Sequence, residues 1–251
     1  MSSHLNNVEN FGALRLSDAR GEYLRQIADT ASDSLGFIDR VDLILSAEMS
    51  MRYNRRVARR IKDAGLRVVA YKEEFSFESD RGITKSAFAN LTSLSWAGAN
   101  HSVLISGATG VGKTYLACML ATEAARREMT VRYHRTSDLI EKLALARADG
   151  SHRQAINGYR KVDLLVLDDF GLNPIPISAS RELLEILDAR VDAAPTVIAS
   201  QFPPETFHQL IEDATAADAI LDRIVHDAIV IKLTGESMRR LKLRTNRNDR
   251  T

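Results

Sequence analysis

The residues best suited to chemistry stand eight in a row: Gly107, Ala108, Thr109, Gly110, Val111, Gly112, Lys113 and Thr114. They satisfy the spacing G-x-x-x-x-G-K-[ST] at every fixed position, the pattern of a phosphate-binding loop. In such a loop the glycines let backbone N–H groups close around phosphate without a Cβ clash. The lysine reaches the β- and γ-phosphates, and the hydroxyl of the last residue ligates Mg²⁺. A second candidate is Asp163-Leu164-Leu165-Val166-Leu167-Asp168-Asp169, an apolar run that ends in paired carboxylates. Asp168 is placed to hold Mg²⁺, directly or through water, and Asp169 to polarise an attacking water. A third is Gln201, at the end of the apolar run Thr196-Val197-Ile198-Ala199-Ser200. It could orient water or touch the γ-phosphate; an ordinary strand-end glutamine is the alternative. The chemistry implied is hydrolysis of a nucleoside triphosphate with Mg²⁺.

That chemistry needs elements to carry it. Val103-Leu104-Ile105-Ser106 reads as a buried strand before the loop, and Tyr115 to Arg127 as a helix after it, with Leu116, Met119, Leu120 and Ala124 on one face. A strand, a tight turn and a helix N-terminus together aim N–H groups and a positive dipole end at an anion. Val131 to His134, the Asp163–Asp169 run, Thr196 to Ser200 and Ala228 to Ile231 read as four further strands. Helices are expected between them, one starting at Ser137-Asp138, one over Ser180 to Val191, one from Pro203 to about Ile211 and one over Ala216 to His226. Strands alternating with helices predict a parallel sheet with right-handed crossovers, whose ligands bind at the C-terminal strand edge.

Composition narrows the field. Lysine and arginine total 34 against 33 acidic residues in 251, a net charge of +1. Any nucleic-acid surface must therefore be a local patch. The single cysteine, Cys118, excludes an intramolecular disulfide and a cysteine-based zinc site. The polar start, Met1 to Asn10, lacks a signal-peptide core, and no apolar run approaches the ~20 residues of a membrane helix. A cytoplasmic, reducing setting with no membrane contact is expected.

Upstream of the loop the chain reads as helical. Residues 1 to about 12 are expected to fray. Helices are expected over Leu14 to Thr30 and Ile38 to Ile61, with Val41, Leu45, Ala47 and Met51 facing a core. Arg52, Arg55, Arg56, Arg59 and Arg60 fall at i, i+3, i+4, i+7 and i+8, which puts five guanidinium groups on one helix face. Read as a stripe without acidic partners one turn away, it suits the phosphates of DNA; a solvated face and an acidic partner protein are the alternatives. Val68 to Asp80 reads as a linker, with Phe75 and Phe77 packing where it meets the second domain and Trp96 as an anchor. An adenine base is expected near Arg81-Gly82-Ile83.

From about Ala47 onward the chain resembles the IstB/DnaC-like branch of the AAA+ ATPases. The resemblance is carried by Glu48…Arg52…Arg55-Arg56…Arg59-Arg60, Phe75-Ser76-Phe77, the Gly107–Thr114 loop running into Tyr115-Leu116-Ala117, the Asp163–Asp169 run, Leu221-Asp222-Arg223-Ile224-Val225-His226 and Gly235-Glu236-Ser237-Met238-Arg239. It implies an α/β P-loop NTPase over residues 73–251, with a five-stranded parallel sheet flanked by helices and a helical lid that is minimal or absent. A small all-helical domain over residues 1–72 precedes it. It implies an ATPase using ATP and Mg²⁺, with Gln201 at the sensor-1 position, where asparagine is usual. It places Arg223 at the arginine finger that reaches a neighbouring subunit's ATP, and Arg239 at sensor 2. The function implied is a helper that oligomerises on double-stranded DNA, assists a transposase and leaves on hydrolysis; the alternative is a replicative helicase loader. A nucleoside kinase would want a second substrate pocket, and a GTPase an N-K-x-D motif that is not present.

Overall fold

A computed structural model of the chain describes residues 2–77, 81–225 and 227–238. Its internal contacts divide it into two compact units, Met1–Arg59 and Arg60–Thr251.

The first unit holds α1 (Ser2–Ala13), α2 (Ser17–Ala28) and most of α3 (Phe37–Ala64). The segment expected to fray is α1. Its polar sequence hides tertiary contacts: the Phe11 ring lies 5.3 Å from that of Tyr23, and Asn7 Nδ2 donates to the Tyr23 hydroxyl at 3.0 Å. The helix expected from Leu14 starts later, because Arg15 takes a left-handed φ of 56°. Leu16 has no side chain to cap α2. Glu48 of α3 does so instead, accepting from Asp18 N at 2.9 Å and Ala19 N at 3.1 Å. The Ala19 N–H bond, and after it the hydrogen bond from Arg52, hold the Glu48 carboxyl below the usual carboxylate range against the effect of burial. The inward face of α3 thus runs through Val41, Ile44 and Glu48. Leu45 and Met51, expected in a core, are 53% and 43% exposed, since they fall to the side of that face.

The second unit takes in the last turn of α3, which Gly65 ends at φ 67°. There follow α4 (Lys85–Ser93), capped by Thr84 Oγ1 accepting from Ala87 N, and the short α5 (Ser95–Gly98). Trp96 is buried and donates from Nε1 to Leu91 O at 2.8 Å, an anchor as expected. Phe75, Phe77 and Phe88 form a ring cluster with centroids 4.4–5.1 Å apart.

The sheet comprises β1 (Val103–Gly107), β2 (Val131–Arg135), β3 (Leu164–Asp168), β4 (Thr196–Ser200) and β5 (Ile229–Leu233). Every pairing is parallel, in the order β2-β3-β4-β1-β5. Side-chain alternation splits each central strand between two layers. Val103, Ile105, Leu164, Val166, Val197 and Ala199 face one layer with α6 (Lys113–Arg126), while Leu104, Leu165, Leu167 and Ile198 face the other. That second layer is closed by α7 (Thr136–Ala148), α8 (His152–Arg160), α9 (Ile177–Asp188) and α10 (Ala214–Val225). The helix α6 is enclosed nearly all round: Leu116, Ala117, Cys118, Met119, Leu120 and Ala121 have no exposed surface. Each buried leucine or methionine there contributes about 1.5–3 kcal/mol, so the loop at its N-terminus stands on a firm support. Residues 239–251, where a lid would begin, lie outside the described residues.

Candidate functional site

The loop leaves β1 and enters α6 through two glycines in backbone conformations that other residues rarely adopt. Gly107 sits at φ 148°, and a Cβ there would lie 2.3 Å from Leu233 O. Gly112 caps α6 at φ 107°. Lys113 is buried to 9% exposure, and its Nζ donates to Gly107 O at 2.7 Å and Ala108 O at 2.9 Å. Burial pushes this ammonium below the usual lysine range, against the pull of Asp168 and Asp169. A desolvated cation held only by carbonyls gains most from an anion, and a phosphate beside the loop supplies one.

Asp168, fully buried at the end of β3, is the most heavily bonded side chain of the site. Its Oδ2 accepts from Thr114 Oγ1 at 2.7 Å and from the Tyr133 hydroxyl at 2.7 Å; its Oδ1 accepts from Asp169 N at 2.9 Å. Burial, then the bond to Asp168, push the Tyr133 phenol far above its ordinary value, so it stays a donor. The Thr114 hydroxyl and Asp168 carboxylate bring two hard oxygen donors together, the set that Mg²⁺ prefers. Among the described residues no group of three or more His, Cys, Asp or Glu is placed to hold a metal ion. Phosphate oxygens and water would have to complete such a shell, which is how Mg²⁺ is held beside nucleotides.

Asp169 takes a left-handed φ of 53°. Its Oδ2 lies 3.6 Å from Arg67 Nη1 and 3.5 Å from Arg135 Nε. Gln201, at the end of the central strand β4, accepts from Thr109 Oγ1 at 3.0 Å. The cavity over the loop measures about 410 Å³ and is lined by Lys113, Thr114, Asp169, Gln201 and Arg67 among others. The loop, both carboxylates and Gln201 are thus gathered as the sequence led us to expect. The stretch expected near an adenine is stitched beside β5, with Thr234 N donating to Arg81 O at 2.9 Å. Arg81 is buried to 8% exposure, its guanidinium 4.8 Å from the Phe75 ring centroid.

Other candidates lie elsewhere. Arg223, near the end of α10, lines a cavity of about 590 Å³ with Ser102, Thr196 and Ala228. Those residues sit at the N-terminal ends of β1, β4 and β5, the sheet edge opposite the loop. Arg223 Nε donates to Asp188 Oδ1 at 3.0 Å. Arg239 lies outside the described residues. The stripe of α3 is not free of acidic partners: Arg52 Nε donates to Glu48 Oε1 at 2.7 Å, four residues earlier, and Arg55 pairs with Asp18. Arg56 and Arg59 are exposed and Arg60 is half-buried. Sequence reasoning missed Tyr133, Arg67 and Arg135. No sequence signal marked them: the pairing with β3 of the strand that carries Tyr133 and Arg135 exists only in the fold.

Comparison with known proteins agrees with this geometry. The profile of the family described as IstB-like ATP binding protein matches residues 10–246. An insertion sequence ATP-binding protein of Sinorhizobium fredii, y4pL, is 39% identical over 233 residues, covering 93% of this chain and 95% of that one. The DnaI crystal structure superposes with a TM-score of 0.57 at 22% identity, over 70% of this chain and 94% of that one. AMPPCP-bound DnaA from Aquifex aeolicus superposes with a TM-score of 0.57 at 20% identity, over 72% of this chain; the chain spans about half of that protein, 55%. Among the described residues no helix is long and apolar enough to cross a membrane. The fold is that of an AAA+ P-loop domain preceded by a helical region, and the chain belongs to the IstB-like ATP binding protein family.

Proposed function

We propose that this chain is an ATPase that assembles as a homo-oligomer on double-stranded DNA, assists a transposase and leaves the DNA on hydrolysis. The observation that carries the reading is a division of labour. Lys113, Thr114 and Asp169 line one cavity, with Asp168 bonded to Thr114, while Arg223 lines a different cavity at the opposite sheet edge. An arginine so placed can serve hydrolysis only in a neighbouring subunit, which makes ATP part of the subunit interface.

In this reading the loop N–H groups and Lys113 bind the β- and γ-phosphates. Thr114 and Asp168 would hold Mg²⁺, which when bound would neutralise charge on the phosphate oxygens. Tyr133 fixes the Asp168 carboxylate. Asp169 accepts a hydrogen bond from the attacking water and orients it in line with the γ-phosphorus, and Gln201 steadies the water or the γ-phosphate. Arg223 of a second copy stabilises the developing charge, an effect worth ~10³ or more in rate. Exposed arginines of α3, repeated on each subunit, would add up phosphate contacts along the duplex. The insertion-sequence name of the Sinorhizobium relative favours the transposition setting over helicase loading.

Sedimentation with ATP and Mg²⁺, with and without long duplex DNA, at low and high salt, tests the reading. A discrete large assembly that needs both ATP and duplex, and is lost at high salt, is expected. A protein that stays small with ATP and ignores DNA overturns it in favour of a helicase loader.

A further inference from the structure

The carboxylate assigned to water activation is not free. Asp169 Oδ2 is shared by Arg67 Nη1 at 3.6 Å and Arg135 Nε at 3.5 Å. Both separations exceed the ~2.7–2.9 Å of a charge-assisted hydrogen bond, so both pairs are loose. The two arginines differ in what else they can reach. Arg135 lines a small crevice of about 170 Å³ beside the site, with Thr136 and Asn173. Arg67 lines the loop cavity itself, in company with Lys113, Thr114 and Gln201.

The backbone that carries Arg67 is fixed. Ala64 and Ala70, on either side, are 1% and 0% exposed and belong to the same buried layer as α6. The guanidinium is not: the side chain is 38% exposed, and among the described residues its ion pair is the loose one to Asp169. A planar guanidinium fits phosphate oxygens bidentately, whereas a single carboxylate oxygen at this distance engages it as a point charge. A terminal phosphate beside Asp169 carries more charge than the carboxylate and competes for the same group.

Resting on the ATP-binding reading above, we propose that Arg67 is a phosphate-sensing residue acting within its own subunit. Without a terminal phosphate it holds Asp169. With ATP in the cavity it turns to the γ-phosphate and gives up its share of Asp169 Oδ2, which keeps only the loose pair to Arg135. ADP offers no γ-phosphate, so Arg67 stays on Asp169. Arg67 therefore sets the preference of the site for triphosphate over diphosphate.

The test is equilibrium binding of ADP and of a non-hydrolysable ATP analogue, each with Mg²⁺, to the full chain and to Arg67→Ala and Arg67→Lys. Loss of a charge-assisted contact predicts an affinity for the analogue about tenfold or more weaker in Arg67→Ala. ADP affinity should be unchanged, which also reports an intact fold. Arg67→Lys should recover part of the loss. An analogue-to-ADP ratio that stays at the wild-type value overturns the proposal. So does an equal fall in both affinities, the mark of a structural role. If the wild-type chain binds neither nucleotide, the ATP reading fails and takes this proposal with it; if it binds both, only the ratio decides.

Discussion

The two edges of the sheet are built on opposite terms. At the C-terminal edge Asp168 is fully buried, and both of its oxygens are bonded within 2.9 Å. At the N-terminal edge Arg223 is 32% exposed and Asp188, its partner at 3.0 Å, is 60% exposed. The first edge is finished and waits for a ligand. The second is held by a surface ion pair, which contributes ~0–1 kcal/mol and is readily exchanged for a better anion. Five-residue strands rising about 3.3 Å per residue separate the edges by roughly 16 Å, too far for one to serve the other. On the proposed reading the contrast teaches where rigidity is needed: the binding half is preorganised inside a subunit, and the half proposed to complete it in a second copy is held only by exposed ion pairs.

The largest effect should come from the loose edge. Arg223→Ala is expected to lower ATP turnover ~10³-fold with nucleotide binding unchanged. Mixing it with Lys113→Ala subunits should restore turnover, because the second protein lends its Arg223 to intact loops; steady-state phosphate release measures both. No rescue on mixing would break the comparison. Next, Lys113→Ala removes the cation of the finished edge and should weaken ATP binding ~10²-fold by calorimetry. A smaller effect is expected at Tyr133→Phe, which deletes one donor to a buried carboxylate and should cost about 1.5–3 kcal/mol in urea unfolding. The smallest is Asp188→Asn, which loosens Arg223 and should change unfolding free energy by ~1 kcal/mol or less. A large loss there would make the N-terminal edge as preorganised as the other and erase the distinction.

The finished edge was legible in the sequence because its chemistry is local. The loop is eight consecutive residues, and Asp168-Asp169 closes an apolar run whose burial follows from composition. The loop strand and Gln201 came with them, since short apolar runs between helical stretches fix a parallel sheet. What escaped depends on pairing across the chain. Nothing in Val131-Arg132-Tyr133-His134-Arg135 says which strand lies alongside; the register that sets Arg135 opposite Asp168 is a tertiary fact. Arg67 stands just before the stretch read as linker, and its relation to Asp169 exists only in the folded chain. Charge at helical spacing also misled. The arginine stripe looked uniform, yet Arg55 finds Asp18 on another helix, and Glu48 both caps α2 and binds Arg52. The helix α8 was overlooked because its apolar residues are few, Ala155, Ile156 and Tyr159 among polar neighbours.

Cys118 has a practical consequence for watching the protein at work. It is fully buried in α6, and burial pushes its thiol up to about 11. At neutral pH the reactive thiolate is then on the order of one part in 10⁴, shielded from reagent besides. A cysteine introduced on the surface can therefore be tagged with a maleimide dye while the native one stays silent, with no cysteine-free background to build. The same silence is a gauge of integrity: labelling of the unaltered chain reports only molecules in which the support beneath the phosphate loop has come apart.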